Sequence, residues 1–131
     1  MKALLVLPLI AIAACATLPQ KPPFLTGRWG GQHVALVLEG GLGTLEYDCA
    51  SGTIDQAIAT TPDGRFRATG THRTGHGGPI RVGQIFTSHR ATYSGTVVKD
   101  DMTLTVRLED GTVLGPFTLV RGAEPQLTPC L

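Results

Sequence analysis

Met102, Leu104, Val106 and Leu108 alternate with Thr103, Thr105 and Arg107. A hydrophobic period of two marks a strand with one face on a core and the other in water, and this segment is its clearest instance in the chain. Phe66, Ala68 and Gly70 likewise alternate with Arg65, Arg67 and Thr69, and continuing that face reaches His72. Leu45 and Tyr47 alternate with Glu46 and Asp48, which places Cys49 on the Leu45–Tyr47 face. His33 to Leu38 is a β-rich run following Trp29, and Ile80–Phe86, Ala91–Lys99 and Val113–Arg121 read as further strands. Gly52 to Ala59 reads either as a strand or, from Ile54 to Ala59, as a short helix.

Turn residues separate these runs. They are Glu39-Gly40-Gly41, Thr61-Pro62-Asp63-Gly64, the glycine-rich Thr74–Pro79, Asp100-Asp101 and Asp110-Gly111. Each supplies the positive φ or preset φ that a reversal needs. No long segment carries a helical period. About eight strands in sequential order, each followed by a turn, predict an all-β domain: a small antiparallel up-and-down β-barrel, with a β-sandwich as the alternative. Seventeen glycines and only 5% aromatic residues agree with a fold dominated by tight turns. A net charge of +1 without a basic stripe gives no support to nucleic-acid binding.

The amino terminus has a different character. Lys2, the apolar run Ala3–Ala14 and the sequence Ile12-Ala13-Ala14-Cys15 resemble a bacterial lipoprotein signal with its lipobox. The run is shorter than the roughly 20 residues of a spanning helix, and an ordinary secretory signal with a coincidental cysteine is the rival reading. The resemblance implies cleavage after residue 14, lipidation of Cys15 and anchoring to a membrane through more than one acyl chain. Ala16 rather than Asp follows the cysteine, which by the same resemblance implies the outer membrane, facing the periplasm. Residues 15–26 then form the lipidated cysteine and a tether stiffened by Pro19, Pro22 and Pro23. Residues 27–131 are the β-barrel domain.

With Cys15 assigned to lipid, Cys49 and Cys130 remain, and an exported compartment is oxidising. A Cys49–Cys130 disulfide is the first expectation, ahead of two buried thiols or a thiol pair on a metal.

Gly27-Arg28-Trp29 resembles the G-x-W of the first strand in lipocalin and avidin-like barrels, and Phe117-Thr118-Leu119-Val120-Arg121 resembles their last strand ending in arginine. The resemblance implies that Trp29 closes one barrel end with Arg121 packed across its ring, as structure rather than site. The chain departs from lipocalins in ending soon after Arg121, without their C-terminal helix, and a barrel of this size can be filled by its own side chains. Tyr47-Asp48-Cys49, the late Cys130, Ser51-Gly52 and Tyr93-Ser94-Gly95 resemble elements of the periplasmic inhibitors of c-type lysozyme, although no lysine accompanies either serine. Trp29 to His33, Leu45 to Asp55 and Arg121 to Pro125 resemble small bacterial lipoproteins, a likeness that brings no activity with it.

Candidate chemistry is sparse. His72 and His76 are four apart, with His33 and His89 elsewhere, but the glycines around His76 oppose a helix and no carboxylate stands in that loop. No metal or other cofactor is expected. Ser51, Ser88 and Ser94 lie in no nucleophile elbow, Asp48 and Asp55 read as turn residues, and neither glycine cluster (Gly40–Gly43, Gly75–Gly78) precedes a helix that would cradle phosphate. No catalytic residue is assigned and the protein is not read as an enzyme. What remains is a binding loop of His72, Arg73, His76 and Arg81, with His89 and Arg90 beside it. The expected role is therefore non-enzymatic: holding a small apolar ligand, or meeting an envelope protein such as a cell-wall hydrolase. A carrier predicts a cavity lined by Leu36, Phe66, Leu104, Val106 and Phe117. An inhibitor predicts a filled barrel and a functional Thr74–Arg81 loop.

Overall fold

The alternating segments pair in chain order. The computed structural model describes residues 3–6, 8–12, 24–75, 78–79, 81–85 and 87–130. Its eight strands are β1 (Gly27–Gly31), β2 (Val34–Glu39), β3 (Leu42–Tyr47), β4 (Ala50–Ile54), β5 (Arg65–Thr74), β6 (Ser88–Val98), β7 (Asp101–Leu108) and β8 (Val113–Arg121). Each is antiparallel to the next, and β1 pairs with β8 to close the barrel, Trp29 opposite Arg121. That closing ladder removes the sandwich alternative, in which two sheets would keep free edges.

Period-two patterning fills the interior. Met102, Leu104, Val106 and Leu108 from β7 are buried, as are Phe66 and Ala68 from β5, Leu36 from β2 and Tyr93 from β6. They form one packed cluster with Trp29, Leu45, Ile54 and Leu119. A fully buried Leu or Val contributes about 1.5–3 kcal/mol, so this cluster is the main source of stability. Of the positions that would have lined a hollow carrier, Leu36, Phe66, Leu104 and Val106 belong to this cluster, and only Phe117 is partly exposed.

Several local expectations are corrected. Arg81 to Ile85, read as part of a strand, form a turn and extended loop instead; Ile80 and Phe86 lie outside the described residues. Apolar content alone does not make a strand when no neighbour offers a ladder. The strand that brings the number to eight is β1, which the hydrophobic pattern does not mark but the resemblance of Gly27-Arg28-Trp29 to a first barrel strand does. β4 starts at Ala50 and stops at Ile54, with no helix after it; the connection runs on irregularly and buries Ile58, whose carbonyl accepts the Leu25 amide at 2.8 Å. Cys49 does not continue the β3 face, because it turns with φ of 57° in the β3–β4 reversal.

After β8 the chain folds back across the outside of β1. Gly30 permits this, since a Cβ there would stand 2.1 Å from the Ala123 carbonyl oxygen and 2.8 Å from the Pro125 nitrogen. Gln126 then donates to the Gly31 carbonyl at 3.0 Å and accepts from the His33 amide at 2.8 Å. The Cys49–Cys130 disulfide, with its Cα atoms 4.7 Å apart, fastens the end of this tail to the β3–β4 turn. The described residues of the amino-terminal apolar run are exposed and carry no regular structure. Among the described residues no helix is long and apolar enough to cross a membrane.

Candidate functional site at the barrel mouth

β8 pairs with β1 only over Leu119–Arg121, so its first half, from Val113 to Thr118, borders an opening. A register shift against β7 between Leu104 and Val106 moves that half further from a regular ladder. At this end the β1–β2 and β3–β4 turns meet β5 and β8 around a cavity of about 220 Å³. Leu114, Phe117 and Ala50 give it apolar walls, Tyr47 and His72 face it from the barrel, and His33 and Asp48 stand at its edge.

Alternation explains both inner polar groups. Tyr47 ends β3 on the face of Gly43 and Leu45, and His72 continues the face of Phe66, Ala68 and Gly70 along β5. Tyr47 is 8% exposed and His72 4%. The Tyr47 ring lies 5.3 Å from the imidazole and 5.7 Å from the Phe117 ring, tilted against each. His72 Nδ1 has no hydrogen-bond partner, and the buried Tyr47 hydroxyl lies beside that of Tyr93. Buried polar atoms are almost always satisfied, so the bare His72 Nδ1 is unusual.

The electrostatics keep this floor neutral. Burial, and then the neighbouring His89, hold the His72 imidazole below its ordinary value. Burial raises the Tyr47 phenol well above the usual tyrosine range, and Tyr93 stands close enough to add to this. Burial likewise pushes Tyr93 up to about 12. The Tyr93 hydroxyl donates to the Thr71 carbonyl at 2.5 Å. At the edge, His33 pairs with Asp48, whose other carboxylate oxygen accepts the Thr128 amide at 2.5 Å. The carboxylate thus ties the β1–β2 turn and the tail to the mouth.

The residues read from sequence as one binding loop separate across the barrel wall. His72 points in, whereas Arg73 points out, bordering an outer groove with Glu46, Ser51 and both bridging cysteines. Arg81 is exposed in the β5–β6 loop, its amide bonded to Gln84 at 3.0 Å. His76 lies outside the described residues, as do Cys15 and the tether up to Pro23. His89 is opposite His72 in register, its Nδ1 3.5 Å from Glu109. Asp48 and Asp55 flank β4 at opposite ends and form no acid–base pair. Among the described residues no group of three or more His, Cys, Asp or Glu could hold a metal.

Tyr47, Leu114 and the His33–Asp48 pair were not singled out as mouth residues from the sequence. Tyr47 had a signal, since it shares the inward face of Leu45; the pair had none, because it joins two turns. The other barrel end is closed by Trp29 and Arg121, the guanidinium 4.2 Å from the ring centre.

No protein-family model, no curated protein and no solved structure matches this chain.

Proposed function

We propose that this is a non-enzymatic binding protein of the bacterial cell envelope, lipid-anchored through Cys15 in the outer membrane and facing the periplasm, whose barrel mouth holds a small ligand. The Lys2–Cys15 pattern supports the anchor. One observation carries the binding reading: a cavity of about 220 Å³, walled by Leu114, Phe117 and Ala50, opens at the barrel mouth beside Tyr47 and His72.

Native mass spectrometry of the mature chain, secreted as Cys15→Ser and never denatured, tests the mouth. The expected result is an organic mass that leaves on denaturation and is absent from the His72→Phe variant. Protein mass alone in the native chain would overturn it. For the anchor, labelled palmitate should enter the wild-type chain and not Cys15→Ser; label in both would remove the lipoprotein reading.

The packed interior and the exposed Arg81, Val82 and Ile85 favour a second reading. Here the β5–β6 loop, including Thr74–Arg81, docks on an envelope partner such as a c-type lysozyme. Lysozyme added to the same spectrometer sample should give a complex that Arg81→Glu abolishes; no complex would set this reading aside.

A further inference from the structure

The β5–β6 hairpin differs in charge from the rest of the chain. Residues 64–99 hold Arg65, Arg67, Arg73, Arg81, Arg90 and Lys99 and no Asp or Glu. With histidines neutral, this stretch carries +6 and the remainder −5, although the whole chain is +1. The cations are spaced apart in sequence, and the barrel gathers them. Arg65, Arg67, Arg73 and Arg90 fall on exposed, outward positions of β5 and β6. Register sets Arg67 opposite Ser94 and Arg107 of β7 opposite Thr92, with Arg90 at the next outward position of β6.

Carboxylates stand at the margins of this face. Asp63 pairs with Arg65, Glu109 lies near His89, and Asp55 shares a groove with Arg90. Among the described residues Arg67, Arg81, Arg90 and Arg107 form no ion pair. Guanidinium groups match phosphate oxygens in geometry and charge, and the Thr92 and Ser94 hydroxyls lie between them as further donors.

The loop at the end of the hairpin adds an apolar tip. The Gln84 amide donates to the Arg81 carbonyl at 3.1 Å, and the Arg81 amide donates to Gln84 Oε1 at 3.0 Å. Gly83, with φ of 80°, completes this turn. Val82 is held at its apex, and both Val82 and Ile85 are left almost wholly in solvent. Turns ordinarily take polar residues, Gly or Pro. An apolar apex beside Arg81, continuous with a basic face, fits the boundary between phosphate headgroups and acyl chains. A nucleic acid would satisfy the arginines and leave Val82 and Ile85 in water.

The reach of the chain permits this contact. Thr74, the last residue of β5, is opposite Ala50 at the mouth end, whereas Gly27 opens β1 at the other end. The chain from Cys15 to Gly27 extends at most about 40 Å. The ten residues of β5 span about 33 Å. An anchored Cys15 and the loop tip can thus meet the same bilayer.

We propose that the β5–β6 hairpin docks on a bilayer containing anionic phospholipid, its arginines on headgroup phosphates and Val82 and Ile85 in the interface. The choice of a lipid surface rests on the anchored reading of the chain. Co-sedimentation of the mature Cys15→Ser chain with vesicles tests the docking without the anchor. Vesicles of phosphatidylcholine mixed with phosphatidylglycerol should retain the protein at low salt and release most of it at high salt. Pure phosphatidylcholine should retain far less. Arg67→Gln and Arg90→Gln should each weaken partition about fivefold, the worth of one cation near an anionic surface. Val82→Ser combined with Ile85→Ser should weaken it about tenfold. The urea midpoint of that variant should stay unchanged, since both side chains are exposed in the folded chain.

Equal retention on the two vesicle types, or retention on neither, would overturn the proposal. Binding kept in full by the Val82→Ser, Ile85→Ser chain would do the same, and so would a lysozyme complex that needs Arg81 in place of vesicle binding. Palmitate labelling reads the anchor separately, so failure of the lipoprotein reading and failure of the docking surface give different results.

Discussion

The Arg121 guanidinium lies 4.2 Å from the centre of the Trp29 ring, and both side chains donate to one acceptor, the Thr26 carbonyl, at 2.8 Å from Arg121 Nη1 and 3.3 Å from Trp29 Nε1. The two residues are also register partners in the ladder that closes the barrel. Closure of the sheet and coverage of this end are thus carried by the same pair.

Arg121→Ala should lower stability by about 1–2 kcal/mol, from the stacked cation and the shared acceptor. The Asp100 contact at 3.2 Å adds little, because both side chains are solvent-exposed. Arg121→Lys should recover only part, since an ammonium does not span ring and carbonyl as a planar fork does. Urea unfolding followed by the fluorescence of Trp29, the single tryptophan, measures this. An unchanged midpoint in Arg121→Ala would show that the stacking is incidental.

Gly52 makes room for the Tyr93 phenol. A Cβ at Gly52 would stand 2.4 Å from the Tyr93 hydroxyl oxygen and 2.8 Å from the Thr71 carbonyl oxygen, the acceptor of that hydroxyl. Gly52→Ala should destabilise by about 2–3 kcal/mol through overpacking and a displaced hydrogen bond. Combining it with Tyr93→Phe should restore part of the loss, because the worst clash is with the oxygen that Phe lacks. A double-mutant cycle in urea reads the coupling; strict additivity would contradict the arrangement.

The Cys49–Cys130 bridge spans 81 positions of the chain. In the chain-entropy account a loop of that length is worth ~4.5 kcal/mol. Cys49→Ser with Cys130→Ser, or reduction of the native chain, should lower the unfolding midpoint accordingly. It should also speed amide exchange at Gln126 and Thr128, which pair with Gly31 and Asp48. Equal midpoints with and without reductant would exclude this role.

Stability should fall on both sides of neutrality, for different reasons. His72 is held below its ordinary value of 6.5. The unfolded chain therefore takes up a proton that the folded chain refuses, and the His72 contribution, full above 6.5, is lost as the pH drops below that value. Asp63, lowered by Thr61, and Asp110, lowered by the Thr112 amide, act only further down, below 3.8. On the alkaline side Tyr47 and Tyr93 are raised, so their contribution is present below 10 and lost as the pH rises above it. Urea midpoints from pH 7.5 to 5 for wild type and His72→Phe should diverge in slope. Parallel curves would contradict the assignment to His72.

Much of this architecture was legible along the chain. The side-chain period of a strand is a local property of the pleat, so Met102 to Leu108 and Arg65 to His72 declare their inward faces without any partner. Asp110-Gly111 and Thr61-Pro62-Asp63-Gly64 declare reversals for equally local reasons. With Cys15 set aside, Cys49 and Cys130 left one pairing, the one the structure has.

Other features depend on which segments meet, and no local pattern encodes that. Gly27–Gly31 carries almost no hydrophobic signal, yet is a strand because β2 and β8 offer ladders on either side. Ile80–Phe86 carries the signal, yet Arg81–Ile85 is loop. Closure into a barrel rather than a sandwich was decided by Trp29 meeting Arg121. The mouth is the most tertiary feature: it exists where β8 leaves β1 early, and it joins residues from four strands and two turns. The sequence alone determined which sides of β3, β5 and β7 face inward, because that follows from the geometry of a single residue pair. Only the folded chain decided that Tyr47 and His72 would lie side by side beneath the mouth, because that depends on which strands pair and in what register.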